Sequence, residues 1–177
     1  MKTQTPKSRI RKAPPRLLVL LLLTFSFLSL TLSCGSTRAG AVQAGAAFGN
    51  CPVCQMKVKA SDEWAAEIYY QDRTKLMFES PGDMLAFYTS PSGYDVDDTH
   101  KDRAKIERIA VKDYQSKQPI DARLARFVYK SRVEGPMGPD FLPFDKRESA
   151  EAFIAANGGS LLTLDEVTTE MVRDLRK

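Results

Sequence analysis

The sequence predicts a single α+β domain behind a hydrophobic leader and a flexible tether. Two β-type runs at 64–70 (WAAEIYY) and 74–78 (TKLMF) flank the turn residues Gln71, Asp72 and Arg73, which reads as a hairpin. Segment 146–156 instead carries Ala150, Phe153 and Ile154 at helical spacing, followed by Asn157, Gly158 and Gly159 as a helix ending. Hairpins and single helices in succession, with no obvious internal repeat, give the fold class.

The leader is 1–33. It holds six basic residues (Lys2, Lys7, Arg9, Arg11, Lys12, Arg16) and no acidic one, and 17–33 is an uncharged run rich in leucine. That run is short for a membrane span and follows a strongly positive flank, the pattern of a signal peptide. It ends at Ser33-Cys34-Gly35, a small residue followed by cysteine, as in lipoproteins whose cysteine thiol is acylated; Thr31 departs from the usual aliphatic residue. Cys34 is therefore the expected lipid anchor, placing the protein on the extracytoplasmic (periplasmic) side of a membrane in the cell envelope. Residues 34–48 are small and aperiodic, a tether, and the folded domain is expected over 49–177.

The charge follows the same division. The formal net charge is +4, but removing the six leader residues from 26 Lys and Arg leaves 20 against 22 Asp and Glu, a net of −2. Nucleic-acid binding needs a concentrated basic face on the folded part and is excluded on this ground.

Within the domain, Ser80 would cap a short amphipathic helix running to Tyr88, with Pro81 at its first position. Segment 91–103 (PSGYDVDDTHKDR) reads as a polar loop and 106–114 as a strand. Segment 119–129 is mixed and ends strand-like at Phe127, Val128 and Tyr129. Segment 135–139 (GPMGP) is a rigid loop, 161–164 a short strand, and Asp165 would cap a last helix carrying Val167, Met171, Val172 and Leu175.

The strongest chemical signal is Cys51-Pro52-Val53-Cys54-Gln55-Met56. Two thiols three apart can grip one soft ion, and a thioether two residues on adds a third sulfur donor; such donors favour Cu(I) over hard cations. Three other readings compete. Structural zinc needs four ligands, and beyond Cys34 the chain has two cysteines and one histidine, so carboxylates or a second chain would have to complete the set. A thiol–disulfide oxidoreductase would place the first cysteine at a helix N-terminus, whereas 57–62 (KVKASD) leads to a strand-like run. A structural disulfide across so short a loop would contribute little chain-entropy stabilisation, although a resting disulfide remains compatible with metal loading.

Met137, between Gly and Pro residues, is presented on the stiff 135–139 loop, while Met77, Met84 and Met171 fall at core positions. His100 reads as a solvated loop histidine in preference to a ligand. No nucleophile–base or paired-acid pattern points to an enzyme.

Several stretches together resemble the NosL family of copper-binding lipoproteins that assist nitrous oxide reductase: CPVCQMKV (51–58), WAAEIYY (64–70), LMFESPGDMLAFY (76–88), VKDYQSKQPIDARLARFVYKS (111–131), GPMGPDFLPF (135–144) and ESAEAFIAANGGSLLTLDEVT (148–168). They occur in the family's order across nearly the whole domain. The resemblance implies an α+β fold of two similar strand-and-helix halves, akin to the treble-clef-like part of organomercurial lyases. It also implies a Cu(I) chaperone acting outside the cytoplasm with a membrane transporter complex and a copper-enzyme client, nitrous oxide reductase or a relative. By position, Cys51, Cys54 and Met56 match the family's CPVCGM segment and Met137 its PMG loop, giving Cys51, Cys54, Met56 and Met137 as expected metal ligands. Gln55 stands where the family has glycine, and Pro139 where it often has histidine.

Overall fold

The computed structural model describes residues 48–94 and 96–176. The leader, Cys34 and the tether up to residue 47 lie outside the described residues. Among the described residues no helix is long and apolar enough to cross a membrane.

The chain enters through β1 (Phe48–Asn50), starting one residue before the expected boundary, and pairs antiparallel with β2 (Lys57–Lys59). The predicted hairpin forms from β3 (Ala66–Tyr70) and β4 (Lys75–Phe78), with Ala66 opposite Phe78 and Ile68 opposite Leu76. Its turn is closed by Arg73 N–H to Tyr70 O at 2.9 Å, and the Asp72 carboxylate accepts the Thr74 N–H at 2.8 Å.

Helix α1 (Pro81–Thr89) begins as predicted, with Ser80 as N-cap accepting the Asp83 N–H on its hydroxyl and Pro81 at the first turn. It is not amphipathic: every residue from Pro81 to Phe87 is buried. Packing against the sheet on one side and the last helix on the other leaves it no wet face.

The expected polar loop contains a one-turn helix, α2 (Asp98–Lys101), capped by Asp97. His100 is not solvated: its side chain is 13% exposed, with Nδ1 facing Asp97 Oδ2 at 2.5 Å and Nε2 facing Asp72 Oδ2 at 3.1 Å. Strand β5 (Ile106–Lys112) then pairs with β3 and with β6 (Pro119–Asp121), giving a four-stranded antiparallel sheet in the order β4-β3-β5-β6.

Strand β7 (Arg126–Tyr129) opens the second half. After it, β8 (Glu134–Gly135) and β9 (Gly138–Pro139) make a tight hairpin with Pro136 and Met137 at its tip. Next come β10 (Leu142–Phe144), helix α3 (Arg147–Asn157), β11 (Ser160–Leu162) and helix α4 (Thr169–Leu175). The second sheet runs β10-β7-β11, all antiparallel. Helix α3 stops at Gly158, whose φ of +73° is the left-handed ending the sequence predicts.

The final segment differs from expectation. Thr163 closes a capping box with Glu166 around a 3-10 turn, and Thr168, not Asp165, caps α4. Val167 consequently precedes the helix and packs into the core.

Strand alternation at β7 separates two apolar clusters. Phe127 joins the larger one with Ile68, Phe78, Met84, Phe87, Ile109 and Phe141. Val128 joins the smaller one with Leu142, Phe144 and Ala150 under Phe153 and Tyr114. Each fully buried large side chain contributes about 1.5–3 kcal/mol. The larger cluster also takes in Cys51, which is wholly buried.

Candidate metal site

The two cysteines occupy the turn between β1 and β2. Cys51 N–H donates to Met56 O at 2.9 Å and Gln55 N–H donates to Cys51 O at 2.8 Å, folding 51–56 into a tight loop that turns both sulfurs the same way. The loop requires a left-handed residue at 55, where Gln55 has φ +63°. Its side chain steadies the turn by donating from Nε2 to Pro52 O at 3.1 Å. No helix follows the cysteines, as the sequence indicates; the strand that does follow, β2, lies within 57–62, where the sequence predicts none.

Below the turn lies the first turn of α1, and Asp83 rises from it. Cys51 Sγ donates to Asp83 Oδ2 at 3.2 Å. The sulfurs of Cys51 and Cys54 and an Asp83 carboxylate oxygen all lie within 4.8 Å of one another, with Cys51 and Asp83 buried and Cys54 half-buried. The cysteines are free thiols. Asp83 is held from the far end of the chain as well, its Oδ1 paired with the guanidinium of Arg176.

This setting keeps the thiols protonated. Burial pushes Cys51 up against the backbone N–H groups of Cys54, Glu79 and Val53, and the Asp83 charge adds to the rise. Cys54 is pushed up to about 12, first by burial and then by the Asp83 carboxylate. The same amides that face the Cys51 sulfur would stabilise it as a thiolate once a metal ion replaces the proton. Beside Asp83, burial also raises the carboxyl of Glu79, with Asp83 and Asp62 contributing.

A second structural joint ties the Met137 hairpin to this site. Asp140 is buried, and its Oδ1 accepts the Gly82 N–H at 2.6 Å and the Phe141 N–H at 2.7 Å. Met137 and Arg176 line one cavity of about 260 Å³ together with Gly82, Asp140, Val172 and Leu175. Met137 itself is 62% exposed and Met56 46% exposed, so both thioethers stand outside the packed core.

The sequence-predicted residues are thus placed as follows. Cys51 and Cys54 come together; Met56 leaves the same turn toward solvent; Met137 sits at a hairpin tip and lines one cavity with Arg176, whose guanidinium pairs with Asp83; Cys34 lies outside the described residues. Met77 and Met84 are core residues and Met171 packs against the core. Sequence reasoning missed Asp83 and Arg176. Asp83 follows a Ser-Pro-Gly helix start and reads as an ordinary first-turn acid, and nothing in the sequence links it to a residue 93 positions away.

The family model described as NosL matches residues 45–172. The chain belongs to the NosL family. The crystal structure of the copper chaperone NosL from Shewanella denitrificans is similar, with 27% identity and a TM-score of 0.56 over 75% of this chain and 97% of that one. The solution structure of the apo-NosL protein from Achromobacter cycloclastes is 29% identical, covering 60% of this chain and 87% of that one, with a TM-score of 0.44. No curated protein matches the chain. The mixed helical and antiparallel-sheet fold expected from the sequence is the NosL fold.

Proposed function

We propose that this NosL-family protein is a Cu(I) chaperone that loads one ion between Cys51 and Cys54. The observation that carries the reading is the pairing of the two sulfurs, within 4.8 Å of each other and of Asp83, in a chain similar to a protein described as a copper chaperone. Two soft donors suit a monovalent d¹⁰ ion, which is satisfied by two or three sulfurs. Loading breaks two S–H bonds and makes two metal–sulfur bonds, releasing two protons with no change of oxidation state. Met56 and Met137, both exposed, supply thioethers through which the ion is taken over stepwise by a partner's ligands.

The chaperone reading extends to place and client. Residues 1–33 act as a lipoprotein signal peptide, Cys34 carries the lipid, 34–48 tether the domain of 49–177, and the protein works at the extracytoplasmic face of a membrane. Its client is nitrous oxide reductase or a related copper enzyme, served together with a membrane transporter complex. The basis is the NosL membership with the Ser33-Cys34 junction after an uncharged run.

The oxidoreductase alternative is disfavoured by one observation. Both thiols are pushed up, Cys54 to about 12, whereas disulfide exchange wants a thiol near ambient pH.

X-ray absorption at the copper edge on anaerobically loaded protein tests the reading. Two or three sulfur neighbours are expected; a first shell dominated by nitrogen or oxygen would contradict it.

A further inference from the structure

Asp83 lies against the thiols with both of its oxygens engaged, Oδ2 by Cys51 Sγ and Oδ1 by the Arg176 guanidinium. Arg176 ends α4 and reaches the site from 93 residues away; its side chain is 38% exposed and that of Asp83 only 8%. A fixed cation beside a cation site repels the incoming ion, so its presence needs a reason.

We propose that Arg176 is a selectivity residue, biasing the Cys51–Cys54–Asp83 site toward a soft monovalent ion and against divalent ions of the zinc class. The inference rests on the reading of this site as a copper site.

The donor set gives the first argument. A zinc-class ion seeks four donors, and the residues at hand are two sulfurs and the Asp83 carboxylate. His100 cannot complete the set, since both of its ring nitrogens face Asp97 and Asp72. With Oδ1 held by a guanidinium, the carboxylate is a poorer metal ligand. A two-sulfur ion loses nothing by this, whereas a four-coordinate ion is left with Oδ2 alone, on a carboxylate whose charge the guanidinium already shares.

Charge balance gives the second. Replacing two thiol protons with one monovalent ion leaves the site one unit more negative, and the guanidinium offsets that unit. Replacing the same two protons with a divalent ion leaves the charge unchanged, and the guanidinium then contributes nothing. Arg176 is the cation that pairs directly with Asp83, and so stands nearest to that added charge.

The test is competition titration of the reduced full chain in detergent with Cu(I) and, separately, Zn(II), on the wild type, Arg176→Gln, Arg176→Lys and the double variant Asp83→Asn/Arg176→Gln. Arg176→Gln should bind Cu(I) about tenfold more weakly, allowing for screening of a part-exposed charge, with Zn(II) affinity unchanged or raised. Arg176→Lys should keep the wild-type ratio, and the double variant should recover Cu(I) affinity because it removes both charges. An unchanged Cu(I)-to-Zn(II) ratio in Arg176→Gln, or a parallel loss of both ions with no recovery in the double variant, overturns the proposal while leaving the copper reading standing. A wild type that binds no Cu(I) overturns both.

Discussion

The Asp140 carboxylate accepts the Gly82 N–H at 2.6 Å and thereby fastens the Met137 hairpin to the first turn of α1, next to Asp83. Glycine is needed on both sides of this joint. A Cβ at Gly82 would come within 2.6 Å of Asp140 Oδ1, and one at Gly135 within 2.8 Å of Asp140 Cβ. The joint sets where the exposed thioether stands relative to the thiols, and several consequences can be measured.

Gly135→Ala forces a methyl group against a buried Cβ that cannot swing away. Overpacking of this kind costs about 1–3 kcal/mol. A urea midpoint lowered accordingly is expected, and an unchanged midpoint would show that the hairpin gives way freely.

Asp140 titrates at about 6 because burial raises it, against the hydrogen bonds from Ser80, Phe141 and Gly82 that lower it. Its folded value thus lies above the unfolded one, near 3.9. The folded chain therefore holds the extra proton between about pH 4 and 6, and stability rises as pH falls from about 7 to about 4, by about 3 kcal/mol from this group. Glu79, also raised by burial, acts in the same direction. Asp113 acts oppositely: although burial works to raise it, the N–H groups of Ser116 and Asp145 bring it below its ordinary value, so its contribution is lost only at more acid pH. Asp140→Asn, which keeps an acceptor for both amides, should flatten the curve between pH 5 and 7 and be more stable than the wild type at pH 7.5. Urea midpoints across that range decide it.

Gln55→Gly relieves a left-handed φ of +63° and gives up one exposed hydrogen bond to Pro52 O. The left-handed conformation costs an L-residue about 1–2 kcal/mol, partly offset by the greater freedom of glycine in the unfolded chain. The variant should melt slightly higher, and Gln55→Val should melt lower. The opposite order would mean that the side-chain bond matters more than the backbone.

Asp83→Asn removes the carboxylate that, after burial, does most to raise Cys54. The Cys54 thiol should then titrate about one unit lower, and alkylation of this half-buried sulfur at pH 8 should quicken about tenfold. Equal alkylation rates would separate Asp83 from the thiols electrostatically.

The elements were legible where one local rule decided them. Alternation and a turn gave the 64–78 hairpin, Ser80 and Pro81 gave the start of α1, and Gly158 gave the end of α3. The sequence misled where tertiary surroundings decide: α1 is buried on every face because two layers enclose it, and Thr168 caps α4 because Thr163 and Glu166 use the preceding segment for a 3-10 turn. The thiol pair could be read from its spacing. Asp83 and Arg176 could not, since their roles arise from contacts across 32 and 93 positions that no periodicity encodes.

Anaerobic competition for Cu(I) between the reduced protein and a coloured bidentate chelator addresses the central claim most directly, comparing the wild type with Cys51→Ser/Cys54→Ser. The wild type should withdraw one equivalent from the chelator and hold it more tightly as pH rises, because two thiol protons must leave, while the double variant withdraws none. Equal competition by the two proteins would contradict the account.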